Sequence, residues 1–197
     1  MRQLQTNDFL PLEVPVGVSG RHIHLCEEDF AALFGPGHEL TVYRELGQPG
    51  EFAARETVTL VGPRGVLENV RILGPVRAHT QVEVAMTDSF RLGLKPPVRE
   101  SGDHDGTPGI AVVGPAGAIN LPRGVILAAR HLHIEEELAR SLHLHYDQLV
   151  QVWVPGIRGM ILNNVVIRSG RLELHLDTDE ANAALLSSGD KVKILRP

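Results

Sequence analysis

One short phrase, Arg-His-x-His followed by an aliphatic residue, occurs twice in this chain and limits what it can fold into. It begins at Arg21 and again, 109 residues later, at Arg130. At the same spacing Leu33 matches Leu142, so the similarity continues beyond the histidines. An apolar, β-branched stretch precedes each phrase and is typical of a strand. The chain is therefore predicted to contain two related units.

A short helix is predicted after each phrase. In the first copy Phe30, Leu33 and Phe34 give the apolar spacing of one helix face, and acidic residues occupy the first turn. The sequence Gly-Pro-Gly at 35–37 is expected to end this helix. Strand, His-x-His pair and short helix thus form a unit that is used twice.

Two weaker repeats extend the duplication. Residues 62–73 resemble 156–168, and residues 81–88 resemble 171–179 at an offset of about 90. These matches predict two halves, about 14–95 and 119–197, joined by the loop-like sequence SGDHDGTPG.

The strand segments are short, and the 20 glycines and 13 prolines separate them frequently. Eight such segments with only brief helices predict a mainly β fold of two small β-barrels or sandwiches, and we expect two similar small β-barrel domains with short helices, related by internal duplication. A single mixed α+β domain is the alternative architecture.

Composition excludes several classes of protein. A net charge of −5 does not suit a nucleic-acid-binding protein. The single cysteine, Cys26, cannot form an intramolecular disulfide, which fits a reducing compartment. The sequence contains no apolar run of membrane-spanning length. A cytoplasmic protein without membrane association is therefore expected.

The histidine pairs are candidate metal ligands. Side chains at i and i+2 of a strand point to the same face, so both imidazoles of a pair can reach one cation. A third ligand is expected from Glu83 in one half and His175 in the other, which the offset of 90 places two residues apart on equivalent strands. The competing interpretation is that Glu83 and His175 face solvent. The predicted ligand sets are His22, His24 and Glu83, and His131, His133 and His175.

Other residues receive different expectations. His143 and His145 are expected to be solvated, and His38, His79 and His104 lie in loop-like contexts. Arg77 follows a Gly-Pro turn six residues before Glu83, and its guanidinium suits a phosphate or carboxylate. A surface arginine paired with a carboxylate is the other interpretation. Further cationic candidates are Arg21, Arg99 and Arg130.

Several blocks of the sequence resemble the PduL-type phosphate acyltransferases over residues 14–185. They include VPVGVSGRHIHL, NVRILGPVRAHTQVEVAMTD, GVILAARHLHI and LELHLDTDEANAA. The resemblance implies two similar β-barrels with a dinuclear zinc site in the cleft between them. It also implies transfer of an acetyl or propanoyl group between coenzyme A and orthophosphate.

The resemblance also implies residue roles. His22, His24 and Glu83 match the ligands of the metal that faces the CoA sulfur, and Arg77 matches the phosphate-binding catalytic arginine. His131, His133 and His175 match the ligands of the second metal. Two Zn²⁺ ions are expected, although another divalent transition metal would also suit these ligands. Phe52, in the QPGEFA loop, is a candidate CoA contact for which a packing role is equally compatible.

The family pattern further implies a domain at 21–128 and another at 129–197 that is joined by strand 8–20, and a homodimer. Residues before Pro15 contain Pro11 and lack helical periodicity, so no amphipathic targeting helix is expected there. A cytosolic enzyme is therefore favoured over one associated with microcompartment shell proteins. Cys26 stands where the family commonly has a Ser or Thr helix N-cap, and it should weaken that cap.

Two other functions remain open from the sequence. A His-x-His strand also occurs in metal-dependent hydrolases, although these usually need a TIM barrel of about 250 residues. A non-catalytic zinc-binding barrel would instead have closed sites with four protein ligands.

Overall fold

Fifteen strands and four short helices make up the part of the chain that the computed structural model describes, residue 5 and residues 8–196. The predicted mainly β class is confirmed. The chain divides into two compact units. One comprises Gly20–Ala129, and the other runs up to Ser19 and resumes at Arg130. The assignment of one β-barrel domain to 21–128 and another to 129–197, joined by strand 8–20, stays a prediction.

The elements follow one another with short connections. In chain order they are β1 (Phe9–Ser19), β2 (His22–His24), α1 (Glu27–Phe34), β3 (Val42–Glu45), β4 (Phe52–Val61), β5 (Val66–Gly74), β6 (Gln81–Glu83), α2 (Met86–Leu92), β7 (Val98–Arg99), β8 (Ile110–Val113), β9 (Ala118–Leu121), β10 (Val125–Ala128), β11 (His131–Ile134), α3 (Glu136–Ser141), β12 (Leu149–Val154), β13 (Met160–Ser169), β14 (Glu173–Asp177), α4 (Thr178–Ala184) and β15 (Lys191–Leu195).

The unit Gly20–Ala129 is built on one sheet in the order β7-β10-β6-β2-β5-β4-β8-β9, with β3 paired to β4. The short strand β2 lies between β5, which is parallel to it, and β6, which is antiparallel. His22 is opposite Glu83 in this register. The apolar residue between the two histidines, Ile23, is fully buried in the core of this unit.

The other unit is a closed six-stranded barrel in the order β1-β14-β11-β13-β12-β15. Here β11 lies between β13, which is parallel, and β14, which is antiparallel. His131 is opposite His175. Leu132, between the two histidines, is fully buried in a separate core. Each His-x-His strand therefore has the same kind of neighbour on each side.

The strand before each His-x-His phrase belongs to the unit that does not contain that phrase, and it pairs with strands of its own unit. β1 pairs with β14 and β15, and β10 pairs with β6 and β7. The chain passes from one unit to the other after Ser19 and again after Ala129, in each case just before a His-x-His phrase. The segment at 101–109 lies within the unit Gly20–Ala129. The expectation that this segment joins the two halves is therefore wrong.

The predicted helix after the first phrase is confirmed as α1, which ends at Phe34 and has Gly35 as its C-cap. Its N-cap, Cys26, makes no side-chain capping hydrogen bond. This agrees with the expected weak cap.

Strand β1 occupies Phe9–Ser19, so the described residues before Pro15 from Phe9 onward are extended. The prediction that no amphipathic helix precedes Pro15 falls partly on residues 1–4 and 6–7, which lie outside the described residues. None of the helices found in the described part of the chain has the length and apolar character needed to cross a bilayer.

Candidate metal centres

β2 and β6 bring His22, His24 and Glu83 together. Both imidazoles are buried, and the Glu83 side chain is 12% exposed. Nε2 of His22 lies 3.5 Å from one carboxylate oxygen of Glu83, and Nε2 of His24 lies 3.9 Å from the other. Nδ1 of His22 is 2.8 Å from the carbonyl oxygen of Gly20. Donation of the Nδ1 hydrogen to that carbonyl makes Nε2 of His22 the potential ligand atom.

The two imidazoles of this group have different electrostatic surroundings. Burial lowers the pKa of His24 to about 3, with further lowering by the charges of His22 and Arg77. Burial also opposes protonation of His22, but the charge and hydrogen bonding of Glu83 outweigh it and raise the pKa of His22. His24 is therefore a neutral imidazole at physiological pH, which is the form that binds metal.

β11 and β14 bring His131, His133 and His175 together in the barrel. Nε2 of His131 lies 3.1 Å from Nδ1 of His175. Nδ1 of His133 is 2.7 Å from the carbonyl oxygen of Ser169, which makes its Nε2 the potential ligand atom. These three imidazoles are half-buried, unlike the buried pair at His22 and His24.

Both groups have the donor atoms and spacing of a zinc site. Within each group, the three potential ligand atoms lie within 4.8 Å of one another. Ligands of a tetrahedral zinc ion with bonds of about 2.1 Å lie about 3.4 Å apart, close to several of the observed separations. Imidazole nitrogen and carboxylate oxygen are also the ligands that suit zinc and similar divalent metals. The residues present therefore fit a metal ion in each unit.

The observed register corrects the sequence alignment of the third ligands. Because His22 is opposite Glu83 and His131 is opposite His175, Glu83 and His175 are equivalent at an offset of 92. The offset of 90, which aligned Glu83 with Glu173, is wrong by two residues. Glu173 is instead the counterpart of Gln81, since these residues are opposite His133 and His24.

Arg77 pairs with a carboxylate and a hydroxyl. Its Nη2 lies 3.0 Å from Glu51, and its Nη1 donates to Ser101 at 3.1 Å. Its side chain remains 35% exposed, so the guanidinium is accessible to an added anion. The influence of Arg77 on the pKa of both His22 and His24 places its charge within electrostatic range of the first group.

The other arginine candidates have protein partners. Arg21 pairs with Asp88 at 2.6 Å, and Arg130 pairs with Glu180 at 2.5 Å. In both units an arginine before the His-x-His pair thus contacts an acidic residue in the first turn of the helix that follows the third ligand. Arg99 donates to the carbonyl oxygen of Asp105 at 3.0 Å.

Phe52 contacts the backbone of the next strand. A Cβ placed on Gly74 would lie 2.3 Å from the Phe52 ring, so the ring lies directly over this glycine. This is a packing contact, and a role for Phe52 in CoA binding stays a prediction. His143 and His145 are exposed as expected. His38 contacts Glu56, and His104 contacts Gln81.

Sequence reasoning missed the polar residues that contact the ligands and Arg77. Gln81 donates to Glu83 at 2.7 Å, and Glu173 is 2.7 Å from Nε2 of His175. Both stand two residues before a predicted ligand, so strand alternation places them on the ligand's face. That alternation is the signal by which they could have been found. No comparable pattern marked Glu51 or Ser101.

Comparison with known proteins gives a consistent result. A family model described as phosphate propanoyltransferase matches residues 15–187. A phosphate propanoyltransferase of Thermotoga maritima is 54% identical over 184 residues, which cover 91% of this chain and 88% of that protein. One from Salmonella typhimurium is 51% identical over 175 residues, covering 87% and 83%. One from Rhodopseudomonas palustris is 48% identical over 189 residues, covering 94% and 84%.

The family-model match extends over both His-x-His phrases and over Glu83 and His175. The family model and these relatives confirm the resemblance that the sequence blocks indicated. The chain belongs to the phosphate propanoyltransferase family.

Proposed function

We propose that this protein transfers a short acyl group, acetyl or propanoyl, between coenzyme A and orthophosphate at a dinuclear zinc site. The observation that carries the proposal is the pair of three-ligand groups in equivalent register, in a chain of the phosphate propanoyltransferase family. His22, His24 and Glu83 would hold one ion, and His131, His133 and His175 the other. Each group leaves a coordination position for substrate, unlike a closed four-ligand structural site.

Ions held by these residues would supply Lewis acidity, which would stabilise negative charge on a thioester carbonyl oxygen and on a departing thiolate. The protein residues supply the rest. His24 stays neutral because burial lowers its pKa to about 3, so its ring is available as a ligand across the physiological pH range. The hydrogen bonds from His22 to Gly20 and from His133 to Ser169 hold the ligand rings in fixed tautomers.

Arg77 binds and orients phosphate in this proposal. Its guanidinium is partly exposed and has N–H groups beyond those that contact Glu51 and Ser101, so it can donate to a phosphate oxyanion, and positioning of this kind lowers the barrier to attack. A phosphate oxygen attacks the acyl carbon, a C–O bond forms and the C–S bond breaks, and the thiolate of CoA departs. Phosphate is itself the nucleophile, so the reaction needs no nucleophilic side chain.

One assay tests the reaction against its alternatives. The purified protein is mixed with acetyl-CoA or propanoyl-CoA and a thiol reagent, with and without phosphate. Release of CoA that requires phosphate supports acyl transfer. Release without phosphate would indicate a hydrolase, and no release would indicate a structural zinc protein.

Metal analysis tests the proposed sites. We expect two zinc ions per chain in the unaltered protein and one in each of the single variants His22→Ala and His131→Ala. A chain that carries both substitutions should lose acyl-phosphate synthesis. Retention of synthesis in that double variant, or absence of bound transition metal from the unaltered protein, would contradict the proposal.

The same proposal includes the setting of the enzyme. The family resemblance supports a cytoplasmic homodimer with CoA and phosphate as substrates, and Phe52 as a candidate contact of CoA. Gel filtration with light scattering tests the dimer. A CoA affinity measurement on Phe52→Ala tests the contact.

A further inference from the structure

We infer that Gln81 and Glu173 are positioning residues at equivalent places in the two units. Each orients the third proposed metal ligand of its unit through a hydrogen bond, and the direction of donation in one unit is the reverse of that in the other. The inference rests on the proposed metal sites. Both residues are two positions before a third ligand, on β6 and β14, and they are equivalent in register. One donates to a carboxylate ligand, and the other accepts from an imidazole ligand.

Gln81 is a buried amide whose hydrogen-bonding groups are all used. Only 2% of the residue is exposed. Its Oε1 accepts from the backbone N–H of Gly102 at 2.7 Å and lies 3.1 Å from Nε2 of His104. Its Nε2 donates to Glu83 at 2.7 Å and to Ser101 at 2.8 Å. A buried polar side chain satisfied on all sides is held in one orientation.

The backbone contact determines which end of the amide faces the ligand. The N–H of Gly102 can only donate, so the atom of Gln81 beside it must be the carbonyl oxygen. The NH₂ group therefore faces Glu83. This contact holds the Glu83 carboxylate in a fixed rotamer beside His22 and His24, without competing with them for a cation.

Glu173 performs the reciprocal task for His175. Its Oε2 lies 2.7 Å from Nε2 of His175, while Nδ1 of that ring faces Nε2 of His131 at 3.1 Å. A neutral imidazole carries a hydrogen on one nitrogen only. Donation of the Nε2 hydrogen to Glu173 leaves the lone pair of Nδ1 directed toward the other two histidines. Carboxylate–imidazole pairs of this kind fix ligand tautomers in metal sites.

The barrel leaves space for this pair at one glycine. Gly17 on β1 is opposite His175, and a Cβ at Gly17 would lie 2.8 Å from Cδ of Glu173 and 3.1 Å from Cδ2 of His175. Any side chain at position 17 would therefore push against the Glu173–His175 pair. The absence of a side chain there is part of what allows this pair to form.

The chemistry of each positioning residue matches its ligand. A carboxylate ligand needs a donor beside it, and Gln81 provides one. An imidazole ligand needs an acceptor beside it, and Glu173 provides one. The two halves thus differ both in the third proposed ligand and in the residue beside it, and in each half the donor or acceptor matches the ligand.

The test for Gln81 uses metal binding rather than turnover. In a chain carrying His131→Ala, so that only the group of His22, His24 and Glu83 is complete, zinc affinity is measured by competition with a chelator. The variants Gln81→Met and Gln81→Glu should each bind zinc about 10- to 100-fold more weakly than the matched parent. The second variant adds negative charge, which by itself would attract a cation, so weaker binding would identify the lost donor as the cause.

The test for Glu173 uses the reciprocal background, His22→Ala. Glu173→Met removes the acceptor and should weaken zinc binding about 10- to 100-fold, while Glu173→Gln keeps an acceptor oxygen and should retain most of the affinity. Cobalt(II) in place of zinc provides a spectroscopic measure of ligand geometry. Its visible absorption should change in Glu173→Met and remain close to that of the parent in Glu173→Gln.

The Gln81 variants and the Glu173 variants serve as controls for each other. In chains with both groups complete, Gln81 variants should change only one of the two bound metals, and Glu173→Met only the other, which also shows that the chain has folded. Unaltered affinity and cobalt spectra in these variants, or tighter binding in Gln81→Glu, would overturn the inference while leaving the proposed function intact. Failure of the unaltered chain to bind zinc or cobalt would overturn both.

Discussion

At the scale of the residue, the two candidate metal centres differ in charge although they are equivalent in register. The first contains a carboxylate, Glu83, and the second has an imidazole, His175, at the same position. A divalent ion would keep a net charge of about +1 in the first and +2 in the second, because the imidazoles bind in their neutral form. With such ions bound, the second centre would therefore be the stronger Lewis acid of the two.

Arg77→Ala tests the proposed role of that guanidinium. The loss of charged hydrogen bonds to phosphate should raise the KM for phosphate about 10-fold or more and lower turnover. Zinc content should stay unchanged because Arg77 is not a proposed ligand. Arg140→Ala is the control, since Arg140 is an exposed arginine whose partner, Glu136, lies on the same helix. Loss of metal from Arg77→Ala, or an unchanged KM, would refute this role.

Glu56 provides a pH-dependent contribution to stability. Burial acts to raise its pKa, but hydrogen bonds, mainly from the backbone N–H of Thr41, outweigh burial and leave the pKa of Glu56 below its usual value. A lowered pKa stabilises the folded state above the pKa of the unfolded chain, and this contribution is lost as the pH falls.

Glu56→Gln should therefore reduce the free energy of unfolding by about 1 kcal/mol at pH 7, and by progressively less below pH 5. Urea unfolding at pH 7, 5 and 4 measures the difference. Glu68→Gln, an exposed substitution on β5, should show no comparable loss. A difference that stays constant over this pH range would show that the charge of Glu56 is not responsible.

At the scale of the element, the first turn of α1 depends on a contact from outside the helix. Cys26 provides no side-chain cap, while Thr80 accepts from the backbone N–H of Cys26 at 3.0 Å and donates to Asp29 at 2.5 Å. Asp29 is the third residue of the helix, where an acidic side chain also interacts favourably with the helix dipole.

Cys26→Ser should stabilise the protein by about 1 kcal/mol, because a serine hydroxyl can accept a hydrogen bond from a free N–H in the first turn. The shift of the urea midpoint at constant slope measures this gain. Cys26→Ala is the matched control and should bring no gain. If serine and alanine stabilise equally, removal of the thiol and not capping is the cause.

At the scale of the whole molecule, the duplication is interleaved along the chain. β1 precedes the first His-x-His phrase but completes the barrel that contains the second phrase. Its side chains at Leu10, Val14 and Val16 are buried in the core of that barrel. At about 1.5–3 kcal/mol for each buried aliphatic side chain, these three represent a large part of typical domain stability.

A chain that begins at Gly20 should therefore lose the structure of the barrel and the metal bound by His131, His133 and His175. It should retain the metal bound by His22, His24 and Glu83, whose unit keeps its own strands. Zinc content and limited proteolysis measure both effects. Glu13→Gln, an exposed change on β1, should leave two metals bound. Two metals in the shortened chain would show that β1 is dispensable.

The sequence by itself determined the two His-x-His pairs, the types of the candidate metal ligands and the mainly β class. Periodicity and residue chemistry are local properties, so they can be read directly from the amino-acid sequence. It also indicated that Glu83 and His175 complete the two groups, because each lies on a strand within a repeated segment.

Only the tertiary structure decided the register of those strands. Side chains alternate with a period of two, so a slip of two residues leaves every side chain on the same face. Alternation therefore cannot distinguish an offset of 90 from one of 92. For the same reason the sequence did not predict the contacts of Gln81 and Glu173. The pairing of β1 with β14 is likewise a contact between residues far apart in the chain. Such contacts depend on the packing of the completed barrel, so they cannot be predicted from the sequence of any single segment.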